Sequence, residues 1–235
     1  MIFLFTNATS VIINNKEVQS IKRVSDNAVL YEKQGAPLEI TTIITNTFSS
    51  NGTSPFIFTG SLNINWGDGT SETYTGTAQL THTYSGHNTY TIQIEGNITE
   101  INSTFISNTA KITSITIPNT VTAFGSSCFN ACSSLTSINI PTGITSIPTN
   151  CFNSCSSLTE ITMPSNVTAL GTFAFSNCTG LEKIRFERTT PPSAARNVFR
   201  NLPTSCVIEV PSGSLSAYTS ASNYPSSSTY TYIEY

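Results

Sequence analysis

Three consecutive stretches of this chain align without a gap at a spacing of 23 residues: ITSITIPNTVTAFGSSCFNACSS from Ile112, LTSINIPTGITSIPTNCFNSCSS from Leu135 and LTEITMPSNVTALGTFAFSNCTG from Leu158. A fourth, degenerate row opens with LEKIRF at Leu181. This constrains the fold more than any composition does, because each unit is too short to bury its own apolar side and must stack on copies of itself. Ile115/Ile117, Ile138/Ile140, Ile161/Met163 and Ile184/Phe186 alternate with polar neighbours, the period-2 mark of a strand with one side inward. Pro118, Pro141 and Pro164 end that strand by removing a donor and fixing φ. Val121, Ile144 and Val167 open a second short extended piece, and Phe129, Phe152 and Phe175 fill the core before a turn. The expected product is a solenoid with coils about 4.8 Å apart around one continuous core.

The six cysteines obey the same period. Cys128 and Cys151 are 23 apart, as are Cys132, Cys155 and Cys178, with Cys206 beyond them. Three readings compete: a disulfide framework, a metal site, and a column of buried thiols. The only histidines, His82 and His87, lie far from the column, and a fixed period refills one structural slot per coil. Buried thiols are the expectation, with no metal.

The rows resemble the BspA-like leucine-rich repeat family, in its pattern LTxIxIPxxVTxIGxxxFxxCxx. Pro148 stands where that family favours Gly, and Cys128 and Cys151 where it favours Ala. The end of the chain resembles the family's usual ending: Pro191-Pro192, a last strand Val207–Val210, Pro211, and a helical turn near Leu215–Tyr218. The resemblance places a solenoid over 96–188 and a C-terminal cap over 189–235.

Upstream, INWGDGTSETYTGTAQLTHTYSGHNTYTIQIEG resembles a PKD-type immunoglobulin-like sandwich, which implies such a domain over 34–95. Physically, Gly67-Asp68-Gly69 is a tight turn in which glycines accept positive φ and Asp68 bonds the backbone two residues on. Trp66 is a core plug, Tyr84 a packed ring, and His82 part of the same packing. One carboxylate at Asp68 falls well short of a calcium site.

The register runs through the join. Ile92 and Ile94 sit 23 before Ile115 and Ile117, Ile98 sits 23 before Val121, and Ile106 sits 23 before Phe129. The last sandwich strand is therefore expected to serve as strand zero of the solenoid, with Thr91–Ile94 parallel to Ser114–Ile117 and no flexible linker. Residues 1–33 read as a three-stranded meander, Val11–Ile13, Val18–Val24 and Val29–Tyr31, carrying Lys16, Lys22, Arg23 and Lys33. This piece resembles N-terminal attachment segments of phage-type structural proteins, which implies docking to other subunits of an assembly. The fold class is thus mainly β: a meander and a sandwich fused in register to a leucine-rich-repeat solenoid.

Composition excludes several functions. Ser and Thr fill 71 of 235 positions, charged residues only 10%, and the net charge is −3, so no field draws the chain to nucleic acid. No apolar run spans a membrane, and MIFLFTNATS lacks the basic and apolar regions of a signal peptide. Glu160 is the single acidic or basic residue in 112–181, too few for paired acid–base chemistry, so neither an enzyme nor a cofactor is expected. The six Asn-x-Ser/Thr sequons match what 22 asparagines and this hydroxyl content give by chance.

Charge returns abruptly at Lys183, Arg185, Arg188, Arg196 and Arg200, followed by Tyr218, Tyr224, Tyr230, Tyr232 and Tyr235. Arg and Tyr are the residue types that carry binding hot spots. Outward Thr116, Asn139 and Thr162 add neutral polar contacts on the strand side. The alternative is that this end is a polar, aromatic cap over the core. Both resembled families are typical of extracellular adhesion. The sequence reading is a virion-attached host-recognition or decoration protein, on a tail or capsid, whose partner is a cell-surface protein or glycan; a cell-surface BspA-like adhesin and a purely structural subunit are the alternatives.

Overall fold

The computed structural model describes residues 12–13, 16–17, 21–24, 28–31, 38–44, 47–49, 56–75, 81–84, 88–103, 105 and 112–235, with backbone alone before Gly60. The chain divides into two units, residues 1–36 and 37–235. In the first, β1 (Ile12–Ile13) pairs antiparallel with β2 (Lys16–Glu17), and β3 (Ile21–Val24) with β4 (Ala28–Tyr31). The described strands form two separate hairpins, with β2 and β3 in different sheets, where the sequence suggested one meander. Val11, Val18 and Lys33 lie outside the described residues.

The second unit begins with β5 (Leu38–Ile44), β6 (Thr47–Ser49), β7 (Phe56–Asn65), β8 (Ser71–Thr75), β9 (Thr81–Thr83) and the long β10 (Asn88–Ile101). Between β7 and β8 the chain turns as expected. Gly67 and Gly69 adopt φ of 80° and 92°, and the Asp68 carboxylate accepts from the Thr70 N–H at 3.0 Å. A Cβ on Gly67 would meet the Thr91 carbonyl at 2.5 Å, so no larger residue fits. Trp66 is fully buried, stacks on His82 at 4.7 Å, and its carbonyl accepts from the Tyr84 hydroxyl.

The coils then supply two strands each. On one side run β11 (Ile112–Thr116), β13 (Ser137–Ile138), β15 (Glu160–Met163) and β17 (Lys183–Phe186). On the other run β12 (Ala123–Phe124), β14 (Ser146–Ile147), β16 (Ala169–Leu170) and β18 (Ser193–Ala194). The chain closes with β19 (Val207–Val210), α1 (Leu215–Thr219) and β20 (Thr231–Glu234), which the sequence had not revealed as a strand. Phe129, Phe152, Phe175 and Phe199 stack in one column, the first two gaps 5.4 and 5.3 Å. Each such ring contact adds about 0.5–1.5 kcal/mol beyond burial. All six cysteines are free and buried. The Cys155 and Cys178 thiols donate to the Phe129 and Phe152 carbonyls of the preceding coil, at 3.2 and 3.1 Å. The thiol column is thus hydrogen-bonded packing, as the period implied.

The join differs from expectation in one respect. Thr91–Ile94 does not pair with Ser114–Ile117; β5 lies between them, antiparallel to both β10 and β11. The register survives the wedge, because Ile92 and Ile115 both oppose Ile40. Further along, β10 pairs directly and in parallel with β12, Glu100 with Ala123 and Ile101 with Phe124, which is the 23-residue offset. A local sequence period cannot see a third strand arriving from upstream. Ile106 lies outside the described residues; the ring that meets Phe129 is the buried Phe105, at 6.4 Å.

Candidate functional site

Proline decides where the coils zip together. In the β15/β17 ladder the Glu187 N–H donates to the Met163 carbonyl at 2.9 Å, so that ladder runs its full four residues. Pro164 and Pro141 occupy the same position one and two coils earlier and have no N–H to give. Between β11 and β13 the loss is repaired by a side chain: the Asn139 amide accepts from the Ile117 N–H at 2.6 Å and donates to its carbonyl at 2.8 Å. Between β13 and β15 nothing repairs it. The bond from the Thr159 N–H to the Thr136 carbonyl stretches to 3.5 Å, against 2.8 Å for Thr136 to Thr113, and the two strands belong to different sheets. On the opposite side Pro148 has the same effect. Gly125 and Gly171 donate to Ile101 and Ile147, Pro148 cannot donate to Phe124, and β12 and β14 fall into separate sheets.

A cleft of about 420 Å³ opens at the β13/β15 junction. Ile115, Ile138 and Ile161 line it from strands whose inward side chains belong to the core, and Ile138 keeps 8% of its surface exposed. Thr116, Asn139 and Thr162, the three outward residues singled out from the sequence, come together on its rim. Thr116 and Thr162 are exposed, whereas the Asn139 amide is committed to Ile117. Glu160 and Glu187 complete the wall. Glu160 pairs with Lys183 at 2.8 Å, and Glu187 has no ion-pair partner among the described residues.

The charged and aromatic end is organised differently. Arg185 bonds Glu209 at 3.1 Å and lies 3.4 Å over the Tyr235 ring. Arg188 donates to the Ser165 carbonyl, and its own carbonyl accepts from the Tyr218 hydroxyl. Tyr224, Tyr230, Tyr232 and Tyr235 donate to the carbonyls of Pro192, Leu202, Pro225 and Phe186. Tyr218 is fully buried and Tyr224 half-buried; burial pushes both phenols above their ordinary range. Lys183 is held by Glu160, while Arg196 and Arg200 are exposed, their carbonyls accepting from the Phe173 and Asn177 N–H groups. Most of this end is spent closing the core.

Sequence reasoning missed two things. Glu160 and Glu187 stand in the cleft wall, and the signal that could have found Glu187 is its place in the proline column, 23 residues after Pro164. An amide ladder, Asn153 to Asn130, Asn177 to Asn153 and Asn201 to Asn177, runs along the turns at 3.0, 3.2 and 2.7 Å. It changes place by one residue after the second coil, which hid it from a strict 23-residue comparison.

The BspA type Leucine rich repeat region family matches residues 81–232 in six copies. That match starts within strand β9, upstream of the 96 boundary drawn from the sequence, so the long β10 falls inside it. Among solved structures, the chain is similar to a leucine rich cell surface protein from Faecalibacterium prausnitzii A2-165, at 28% identity and a TM-score of 0.47 over 55% of this chain and 33% of that one. It is also similar to a leucine-rich repeat protein from Bacteroides ovatus ATCC 8483, at 21% identity and a TM-score of 0.31 over 65% of this chain and 55% of that one. The chain thus spans about a third and about half of those two proteins. No curated protein matches it.

Proposed function

The chain belongs to the BspA type leucine rich repeat family, and from that premise we propose that it is a non-enzymatic recognition protein displayed on a cell surface, binding its partner through the strand side of the solenoid. The observation that carries this reading is the cleft at the β13/β15 junction, where a polar rim and an interrupted ladder coincide. An enzyme is disfavoured by chemistry: Glu160, the lone ionisable acid or base of 112–181, is held by Lys183. The partner is a cell-surface protein or glycan, with no role for nucleic acid, membrane insertion or a cofactor.

Residues 34–95 we read as a PKD-type sandwich that carries the solenoid away from its anchor. The Trp66, His82 and Tyr84 stack behind the Gly67-Asp68-Gly69 turn supports that reading. A virion-attached protein is the second reading, favoured by residues 1–36 forming a unit of their own. Virion genes beside this one would select it.

The binding reading is tested with the labelled chain on candidate cells. Thr162→Trp, which fills the cleft from an exposed position, is expected to abolish attachment, while Arg196→Glu with Arg200→Glu leaves it unchanged. The reverse pattern moves the working surface to the turns.

A further inference from the structure

The sheet built from β15, β17, β19 and β20 ends on β20, which pairs with β19 on one side only. That ladder fixes which main-chain groups are left over. The Tyr235 N–H donates to the Val210 carbonyl and the Ser212 N–H to the Tyr235 carbonyl, so Tyr235 faces β19. By the alternation of a parallel strand Thr231 and Ile233 face β19 as well, and Tyr232 and Glu234 turn their N–H and C=O groups away from it. Natural proteins guard such edges with charged side chains, bulges or a covering element. Here the side chains on the solvent side of the strand are Thr231, Ile233 and Tyr235, all exposed and none charged. The Glu234 carboxylate is spent on the Leu215 N–H, at 2.9 Å. Leu215, Ile233 and Tyr235 are the exposed large hydrophobic residues among the described residues, and all three border this one edge.

We propose that β20 is a dimerisation edge, to which a second copy of this chain adds its own β20, antiparallel across a two-fold axis, joining two four-stranded sheets into one. The strand itself selects the register. With the axis beside Ile233, Tyr232 opposes Glu234 of the second copy and Glu234 opposes its Tyr232. Both are hydrogen-bonded pairs, so every outward N–H and C=O of the two strands finds a partner. Ile233 then meets Ile233 of the second copy as a non-hydrogen-bonded pair, where side chains come closest, and Tyr235 lies across from Thr231. Centring on Glu234 would set two carboxylates opposite each other. Centring on Tyr232 would set Glu234 against Tyr230, whose N–H is already given to the Ser226 carbonyl at 2.9 Å. Charge does not oppose the contact: Glu209, beside Ile233 in the ladder, is paired with Arg185 at 3.1 Å. A two-fold contact closes on itself, so the product is a dimer and not a fibre. Its axis runs perpendicular to the sheet, so the strand sides of both copies face the same way.

The test is sedimentation of the full chain across a concentration series. A dimer is expected that dissociates at micromolar concentrations, because one short ladder and its flanking side chains bury less than the roughly 1,200 Å² of a standard interface. Ile233→Lys sets two like charges across the axis and is expected to weaken association at least about tenfold. Glu234→Pro removes an N–H that points away from β19 and is expected to have the same effect without touching the ladder within the chain. Melting checks that both variants fold. In oxidised glutathione, Ile233→Cys is expected to give a disulfide-linked dimer, whereas Thr231→Cys, exposed on the same side but set across from Tyr235, gives none. The proposal is overturned if the chain stays monomeric at high micromolar concentration, if the dimer survives either Ile233→Lys or Glu234→Pro unweakened, or if Thr231→Cys cross-links as readily as Ile233→Cys.

Discussion

The middle and the distal end of the solenoid make opposite use of their side chains. The distal end holds the residue types usually linked to binding, five tyrosines and most of the arginines, yet Arg185 is stacked on Tyr235 and every one of those tyrosines is bonded to a main-chain carbonyl. The middle holds threonine, serine, asparagine and isoleucine, and leaves a junction unzipped. Residue type at the end of a repeat array reports the need to close a core; the open valence lies where a neutral repeat fails to pair.

The largest expected difference between the regions is alkaline. Burial holds the Cys151 and Cys155 thiols well above their ordinary value of 9.0 and pushes Cys178 up to about 12, whereas Cys206 in the distal end rises only to about 11. Below pH 9 these thiols are protonated both folded and unfolded, so they add no pH dependence. Above it the unfolded chain ionises first, and stability falls by about 1.4 kcal/mol per pH unit per thiol until the folded value is reached. Urea melts from pH 8 to 10, below the point where the buried distal tyrosines begin to ionise in the unfolded chain, are expected to lose several kcal/mol; Cys178→Ala makes the slope shallower. A flat profile would mean that the column is not sealed.

Asn139→Ala removes both bonds to Ile117 and is expected to cost about 1–3 kcal/mol, because two main-chain groups lose their partner. If the melt is unchanged, the amide is free for a ligand, as the sequence reading had it. Arg185→Ala together with Arg188→Ala is expected to cost only about 1 kcal/mol, since Arg185 is more than a third exposed, and to leave cell attachment intact. Lost attachment with an unchanged melt would return the working surface to the distal end. Pro164→Glu copies the fourth coil's Glu187 and gives the Ile140 carbonyl a donor. It is expected to stabilise by roughly 0.5–1.5 kcal/mol while weakening ligand capture, a gain read in the melting temperature.

Much of this architecture was legible in the sequence because the period is local. The strand positions, the Phe column, the buried thiols and the turn at Asp68 follow from spacing and residue type. What the sequence hid is relational. The wedge of β5 depends on a segment some fifty residues upstream of β10, and no period encodes it. The broken junction depends on which missing donors are repaired: Asn139 repairs one, and the same proline one coil later goes unrepaired. The five tyrosines could not be told from a binding patch, because burial decides their role and their sequence does not.

The central claim, that β13 and β15 face each other unpaired, is tested most directly by residue-resolved amide exchange on the free chain. The account predicts that the amides of Ile138, Ile140 and Thr162 exchange at least about a hundredfold faster than those of Ile161, Met163 and Arg185, which sit in the complete β15/β17 ladder. Equal protection of the two sets would mean that the junction is closed in solution, and would contradict it.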